Sequence, residues 1–142
     1  MKKLIAFFLF QVSILPSFGQ CDKNVALAVS KTQYLDGSGT VQRTVDENST
    51  VEINTSEVVI TPGGNADHKM NGKIQSNTCS WSVPFKEGKS IYKARFEDPS
   101  GNQQNATLTI EGKDGKVTFL MEVAERPDQK IRVTVDKFEE KK

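Results

Sequence analysis

The sequence predicts an all-β fold, an antiparallel meander of eight to ten strands that closes into a barrel or half-barrel. Three observations support this. Apolar and polar residues alternate, clusters of turn residues interrupt the alternation every eight to twelve residues, and no segment has a 3.6-residue apolar stripe of helix length. Short connections make successive strands antiparallel neighbours. A two-sheet β-sandwich is the alternative, but a barrel also removes exposed strand edges.

The first nineteen residues have the pattern of a cleaved secretory signal peptide. Two lysines precede an apolar run from Leu4 to Leu15, which is shorter than the roughly 20 residues a membrane span needs. Small residues at both required positions of Ser17-Phe18-Gly19 place the cleavage before Gln20. We therefore expect a signal peptide over 1–19 and a single all-β domain over 20–142. The mature protein would be secreted or periplasmic, with no transmembrane anchor.

The charge balance argues against partners that are held mainly by electrostatics. The whole chain has 19 basic and 18 acidic side chains, and removal of the two leader lysines leaves a net charge of −1. A nucleic-acid partner is therefore not expected, because non-specific binding to phosphates needs an excess of basic side chains.

The clearest alternation lies in "CSWSVPF", where Cys79, Trp81, Val83 and Phe85 share one face. The same period recurs along the chain and predicts further inward sets of two to four residues: Val51 and Ile53; Val58 and Ile60; Met70, Gly72 and Ile74; Tyr92, Ala94 and Phe96; Ala106, Leu108 and Ile110; Val117, Phe119, Met121 and Val123; Ile131, Val133 and Val135. Near the start, the run around Val25, Leu27 and Val29 suits either a strand or a short helix.

Two turns are predicted as hairpins. Asp114-Gly115 lies between two alternating segments and is the strongest hairpin signal in the chain. Asn54-Thr55-Ser56 is a weaker one.

The chain has two cysteines, Cys21 and Cys79. In an exported protein an even number favours a disulfide between them. A lipid-anchor signal would place a small residue immediately before the acceptor cysteine. Because Cys21 follows the bulky Gln20, a lipid anchor is disfavoured.

Catalytic chemistry has little support in this sequence. The single histidine, His68, lies in the turn-rich segment "GGNADHKM", without a nucleophile that its position would activate. Asp67 beside it supplies a second ligand at most, and a metal site needs more. We expect no enzymatic activity, no metal and no cofactor.

Six large side chains are predicted to face the interior of the barrel. A barrel of about eight strands is either just filled or holds one small ligand. Aromatic and methionine side chains favour an apolar ligand. The candidate ligand-binding residues are Trp81, Phe85, Tyr92, Phe96, Phe119 and Met121. An ordinary packed core is the alternative. If the register of the strand over 90–97 were reversed, Lys93 and Arg95 would face inward and would pair with a ligand carboxylate.

The meander of short strands resembles the lipocalin and fatty-acid-binding barrels over most of the mature chain. The resemblance rests on the strand pattern, since the Gly-x-Trp motif near the first lipocalin strand is missing and the one tryptophan is Trp81. The segments "YLDGSGTVQRTVD", "WSVPFKEGK" and "LTIEGKDGKVTFLMEV" are similar to uncharacterised small secreted all-β proteins of Bacteroidota-type bacteria. That resemblance implies an envelope protein and no particular functional residue.

These patterns lead to two functional expectations. The first is an exported, non-catalytic binding module for a small apolar or amphipathic ligand such as a lipid. The second is an envelope interaction or structural protein with a solid core and no ligand cavity.

Overall fold

The computed structural model describes residues 23–97 and 100–141, which form a closed barrel of eight antiparallel strands in sequence order. The strands are β1 (Val25–Leu35), β2 (Val41–Ile53), β3 (Glu57–Thr61), β4 (Met70–Val83), β5 (Glu87–Glu97), β6 (Gln103–Lys113), β7 (Lys116–Val123) and β8 (Lys130–Glu140). Pairing of β1 with β8 closes the sheet on itself. The expected all-β meander is confirmed, as a barrel and not a sandwich. The predicted signal peptide lies outside the described residues.

The antiparallel order gives the barrel two distinct ends. The connections that follow β1, β3 and β7 lie at one end, which we call the open end. The turns that follow β2, β4 and β6 lie at the other, which we call the closed end. The helical structure in the described ranges consists of two 3₁₀ turns between β3 and β4, and no helix there is long and apolar enough to span a membrane.

The alternation of the sequence places its apolar residues in the core. On β6, for example, Ala106, Leu108 and Ile110 are each at most 4% exposed. On β5, Tyr92 and Phe96 point inward, whereas Lys93 and Arg95 lie on the exposed outer surface. The register of β5 is therefore the one the apolar residues predicted. The ambiguous first segment is a strand and not a helix.

The alternation of "CSWSVPF" ends sooner than expected. Trp81 is buried, but Val83 is 43% exposed and Phe85 lies beyond the end of β4. A register shift between Trp81 and Val83 in the pairing with β5 breaks the alternation. Phe85 has a positive φ of 64°, which lets its half-buried ring turn back toward the barrel.

The two predicted hairpin turns are both present. Asp114 and Gly115 have φ values of 52° and 78°, the left-handed pair that matches the twist of a two-residue hairpin. In the turn between β2 and β3, the Asn54 carboxamide oxygen accepts hydrogen bonds from the backbone N–H groups of Ser56 and Glu57, at 2.8 and 2.7 Å.

Aromatic side chains fill the closed end. The Trp81 ring lies 5.6 Å from the ring of Phe138, which in turn lies 4.8 Å from Phe85, edge to face. The indole N–H of Trp81 donates a hydrogen bond of 2.7 Å to the hydroxyl of Ser90, which is 1% exposed. A Cβ at Gly112 would lie 2.9 Å from the Trp81 ring, so this glycine makes room for the indole.

The bond between Trp81 and Ser90 should contribute measurably to stability. Ser90→Ala leaves a buried indole N–H without an acceptor, which we expect to cost about 1–3 kcal/mol of unfolding free energy in urea titrations. In a double-mutant cycle with Trp81→Phe, the losses of unfolding free energy from the two single substitutions should not add up to that of the double variant. Additive free energies would show that the bond contributes nothing.

Candidate functional site

A cavity of about 660 Å³ opens at the open end of the barrel. We call it the outer chamber. Its walls come from the ends of the strands and from the connection after β7, and they include Tyr34, Arg43, Met70, Met121, Arg126 and Ile131.

A smaller cavity of about 140 Å³ lies further inside the barrel. We call it the inner chamber. Tyr34, Met70, Met121 and Ile131 line both chambers, so the two adjoin. The deeper walls are largely apolar, with Val29, Val51, Ile60, Phe119 and Val133 among them. The open end thus leads from solvent into an apolar interior.

Charged side chains surround the outer chamber. Arg43 and Tyr34 are paired across β1 and β2, and the guanidinium carbon lies 4.3 Å from the centre of the Tyr34 ring, a cation–π contact. Arg126 and Lys130 add two cations, and Asp36 and Asp128 two carboxylates. The rim of the cavity is therefore polar and carries both signs of charge.

Side-chain bonds hold the rim in place. The Glu125 carboxylate accepts hydrogen bonds from the Asn105 backbone N–H, 2.9 Å from Oε2, and from the Asn105 side-chain amide, 2.9 Å from Oε1. These bonds favour the ionised form, so they lower the pKa of Glu125 below its usual value, the backbone bond acting most strongly. Asp36 accepts from the N–H groups of Ser38 and Thr40, both at 2.9 Å, and so orders the turn after β1.

Polar groups lie within the otherwise apolar inner chamber. Thr32 and Ser49 line it and are only 4% and 8% exposed. The Ser49 hydroxyl oxygen accepts a hydrogen bond of 3.0 Å from the Gly63 N–H. The Thr32 hydroxyl has no hydrogen-bond partner among the described residues. Glu47 shares the inward row of β2 with Ser49 and also lines this chamber.

The six predicted ligand-binding residues divide between two regions. Phe119 and Met121 line the chambers, whereas Trp81 and Phe85 belong to the aromatic cluster of the closed end. Phe96 packs across Gly72, where a Cβ would lie 2.7 Å from its ring. Tyr92 is 1% exposed, and burial raises the pKa of its hydroxyl despite an opposing bond to Ser90. The structure therefore does not gather all six at one cavity.

The polar lining of the cavity was missed by the sequence analysis. On β1 a register shift between Val29 and Lys31 interrupts the alternation. Thr32 and Tyr34 are therefore out of phase with the inward row of Val25, Leu27 and Val29, and the apolar pattern does not predict that they face inward. On β2 the inward row continues from Ser49 through Glu47 to Arg43, which no search for alternating apolar residues detects. In the sequence, this polar lining shows only as a break in the apolar alternation of β1 and β2.

The chemistry of the other candidates is limited. His68 lies exposed in a 3₁₀ turn, Ala66–His68. Within residues 23–97 and 100–141, no three His, Cys, Asp or Glu side chains come together in a way that would hold a metal ion. Cys79 is half-buried on β4, with its sulfur 3.7 Å from the Tyr92 hydroxyl. Its predicted disulfide partner, Cys21, lies outside the described residues.

Comparisons with known proteins give no assignment. No protein-family model, no curated protein and no solved structure matches this chain.

The buried Thr32 hydroxyl makes a prediction about stability. Because burial without a hydrogen bond is costly, we expect Thr32→Val to stabilise the ligand-free protein by about 1 kcal/mol in urea titrations. Thr134→Val, on the exposed surface of β8, is the matched control and should change stability by less than about 0.5 kcal/mol. Destabilisation by Thr32→Val would mean that the hydroxyl is satisfied in the folded state.

Proposed function

We propose that this protein is an exported, non-catalytic binding module for a small amphipathic ligand, with a lipocalin-like use of its barrel. The observation that carries the proposal is the pair of adjoining chambers at the open end, of about 660 and 140 Å³. Together they fall in the size range of pockets that hold small molecules.

The distribution of polarity favours an amphipathic ligand over a purely apolar one. Apolar side chains such as Met121, Phe119 and Val133 form most of the deeper wall, whereas Arg43 and Lys130 lie at the rim. An extended molecule would remove apolar surface from water along this wall, and its polar end would contact hydrogen-bonding side chains, which lie both at the rim and in the inner chamber.

An envelope interaction or structural protein is the second candidate. The observation that favours it is the solid packing of the closed end around Trp81, Phe85 and Phe138. That packing reaches only one end of the barrel. The two candidates differ in whether a small molecule raises the melting temperature.

Two exposed positions on β4 provide a matched test of ligand binding. Met70 is 37% exposed and lines both chambers, whereas Val83 is 43% exposed near the closed end. Met70→Trp should fill the junction of the chambers and weaken the binding of decanol by about tenfold, equivalent to about 1.4 kcal/mol. Val83→Trp should leave binding unchanged.

Binding is measured by the rise in melting temperature with decanol concentration, since a ligand that binds only the folded state stabilises it by mass action. If decanol raises the melting temperature equally in both variants and in the wild type, decanol does not bind at the junction of the two chambers. No effect in any of the three would favour the solid-core interaction protein.

Export and cysteine pairing are tested together by the intact mass of the secreted protein. We expect a chain that begins at Gln20, carries no acyl group and is two protons lighter than its fully reduced form, because Cys21 and Cys79 are paired. Alkylation after reduction should modify two cysteines, and without reduction none. A mass increase of diacylglycerol size would instead show a lipid anchor on Cys21.

A further inference from the structure

Besides Tyr34, which also lines the outer chamber, the inner chamber holds three hydrogen-bonding side chains within a largely apolar wall. Thr32 is 4% exposed, Ser49 is 8% exposed, and Glu47 follows in the same inward row of β2 as Ser49. Buried polar groups are normally paired within the protein, and Ser49 is paired with the Gly63 N–H, whereas the Thr32 hydroxyl has no such partner among the described residues.

The Thr32 hydroxyl is the most informative of the three. Thr32 is 4% exposed and lines the chamber, and its hydroxyl makes no hydrogen bond to the described residues. A valine of the same shape would avoid the desolvation cost. The hydroxyl has one donor and two acceptor positions, and no described residue uses them.

Ser49 and Glu47 add acceptors beside it. The Ser49 oxygen already accepts the Gly63 N–H, and one lone pair remains. A Cβ at Gly63 would lie 4.0 Å from Oε2 of Glu47, so the carboxylate lies against the Pro62–Gly64 turn. No cationic side chain in the described part of the chain forms an ion pair with Glu47.

The cations of the open end do not offset this carboxylate. Arg43, Arg126 and Lys130 line the outer chamber but not the inner one. Arg43 lies over the Tyr34 ring at 4.3 Å, toward the rim. The inner chamber therefore carries the negative charge of Glu47, whereas the cations that line the outer chamber are nearer the solvent.

We infer that the ligand enters the inner chamber with a hydrogen-bond-donating end, an ammonium or a hydroxyl group, and that the chamber discriminates against a carboxylate. An ammonium group donates to Glu47, Ser49 and Thr32. A hydroxyl donates to Glu47 and accepts from Thr32. A carboxylate has no hydrogen to donate and is repelled by the negative charge of Glu47. This inference rests on the proposed function and names the ligand class for its cavity.

The test compares three probes that have the same ten-carbon chain and different ends: decylamine, decanol and decanoic acid. Calorimetric titrations at neutral pH, below the micellar concentration, use full-length mature protein stripped of bound lipid. We expect the amine and the alcohol each to bind at least about tenfold more tightly than the acid.

Two variants and a control separate the roles of the side chains. Glu47→Gln should weaken amine binding by about tenfold, affect alcohol binding less and strengthen acid binding. Thr32→Val should weaken alcohol and amine binding while the melting temperature of the ligand-free protein stays equal or rises. Asp46→Asn changes the same charge on the exposed face of β2 and should leave all three affinities unchanged.

Each outcome decides between the proposals. Tighter binding of the acid than of the alcohol and the amine overturns the inference about the inner chamber, yet it supports a ligand-binding barrel. The inference is also overturned if discrimination among the probes is the same in Glu47→Gln and Thr32→Val as in the wild type. Absence of binding by all three probes contradicts the proposed function itself.

Discussion

The barrel exists because its first and last strands pair with each other and close the sheet. The first strand pairs along its length with the last, from Val25 opposite Glu140 to Leu35 opposite Lys130. This pairing satisfies the backbone groups of both outermost strands and encloses one face of the sheet. Without it, the inward side chains of β1 and β8 would form an exposed apolar surface. With it, the barrel has an interior, and the inward side chains at each end decide whether that end is packed or open.

The two ends of that interior are built from different residues. At the closed end, the glycines at 88 and 112 allow the Trp81 indole to approach the backbone, and Phe138 and Phe85 complete the packing. At the open end, β1 and β2 supply hydroxyl and charged side chains, and the barrel is not filled. Apolar residues at both ends would give the folded protein greater stability. Packing alone therefore does not explain the polar residues of the open end.

Much of the fold follows from the sequence because a barrel strand with one buried face has a two-residue period. The inward rows of β3, β5, β6, β7 and β8 are the ones that the alternation indicated. The candidate site was only partly predictable, since Phe119 and Met121 line it while Trp81 and Phe85 do not. Which end is filled depends on the stagger of neighbouring strands and on bulges, such as the shift after Val29, and these arise from pairing rather than from local pattern.

A crystal structure of the mature protein, purified without detergent or delipidation, would show directly whether the open end holds a ligand. We expect electron density for an elongated molecule that runs from the outer chamber between Met70 and Met121 into the inner chamber, with its innermost polar atom within hydrogen-bond distance of the Thr32 hydroxyl. An open end in which the protein's own side chains fill both chambers would contradict this expectation.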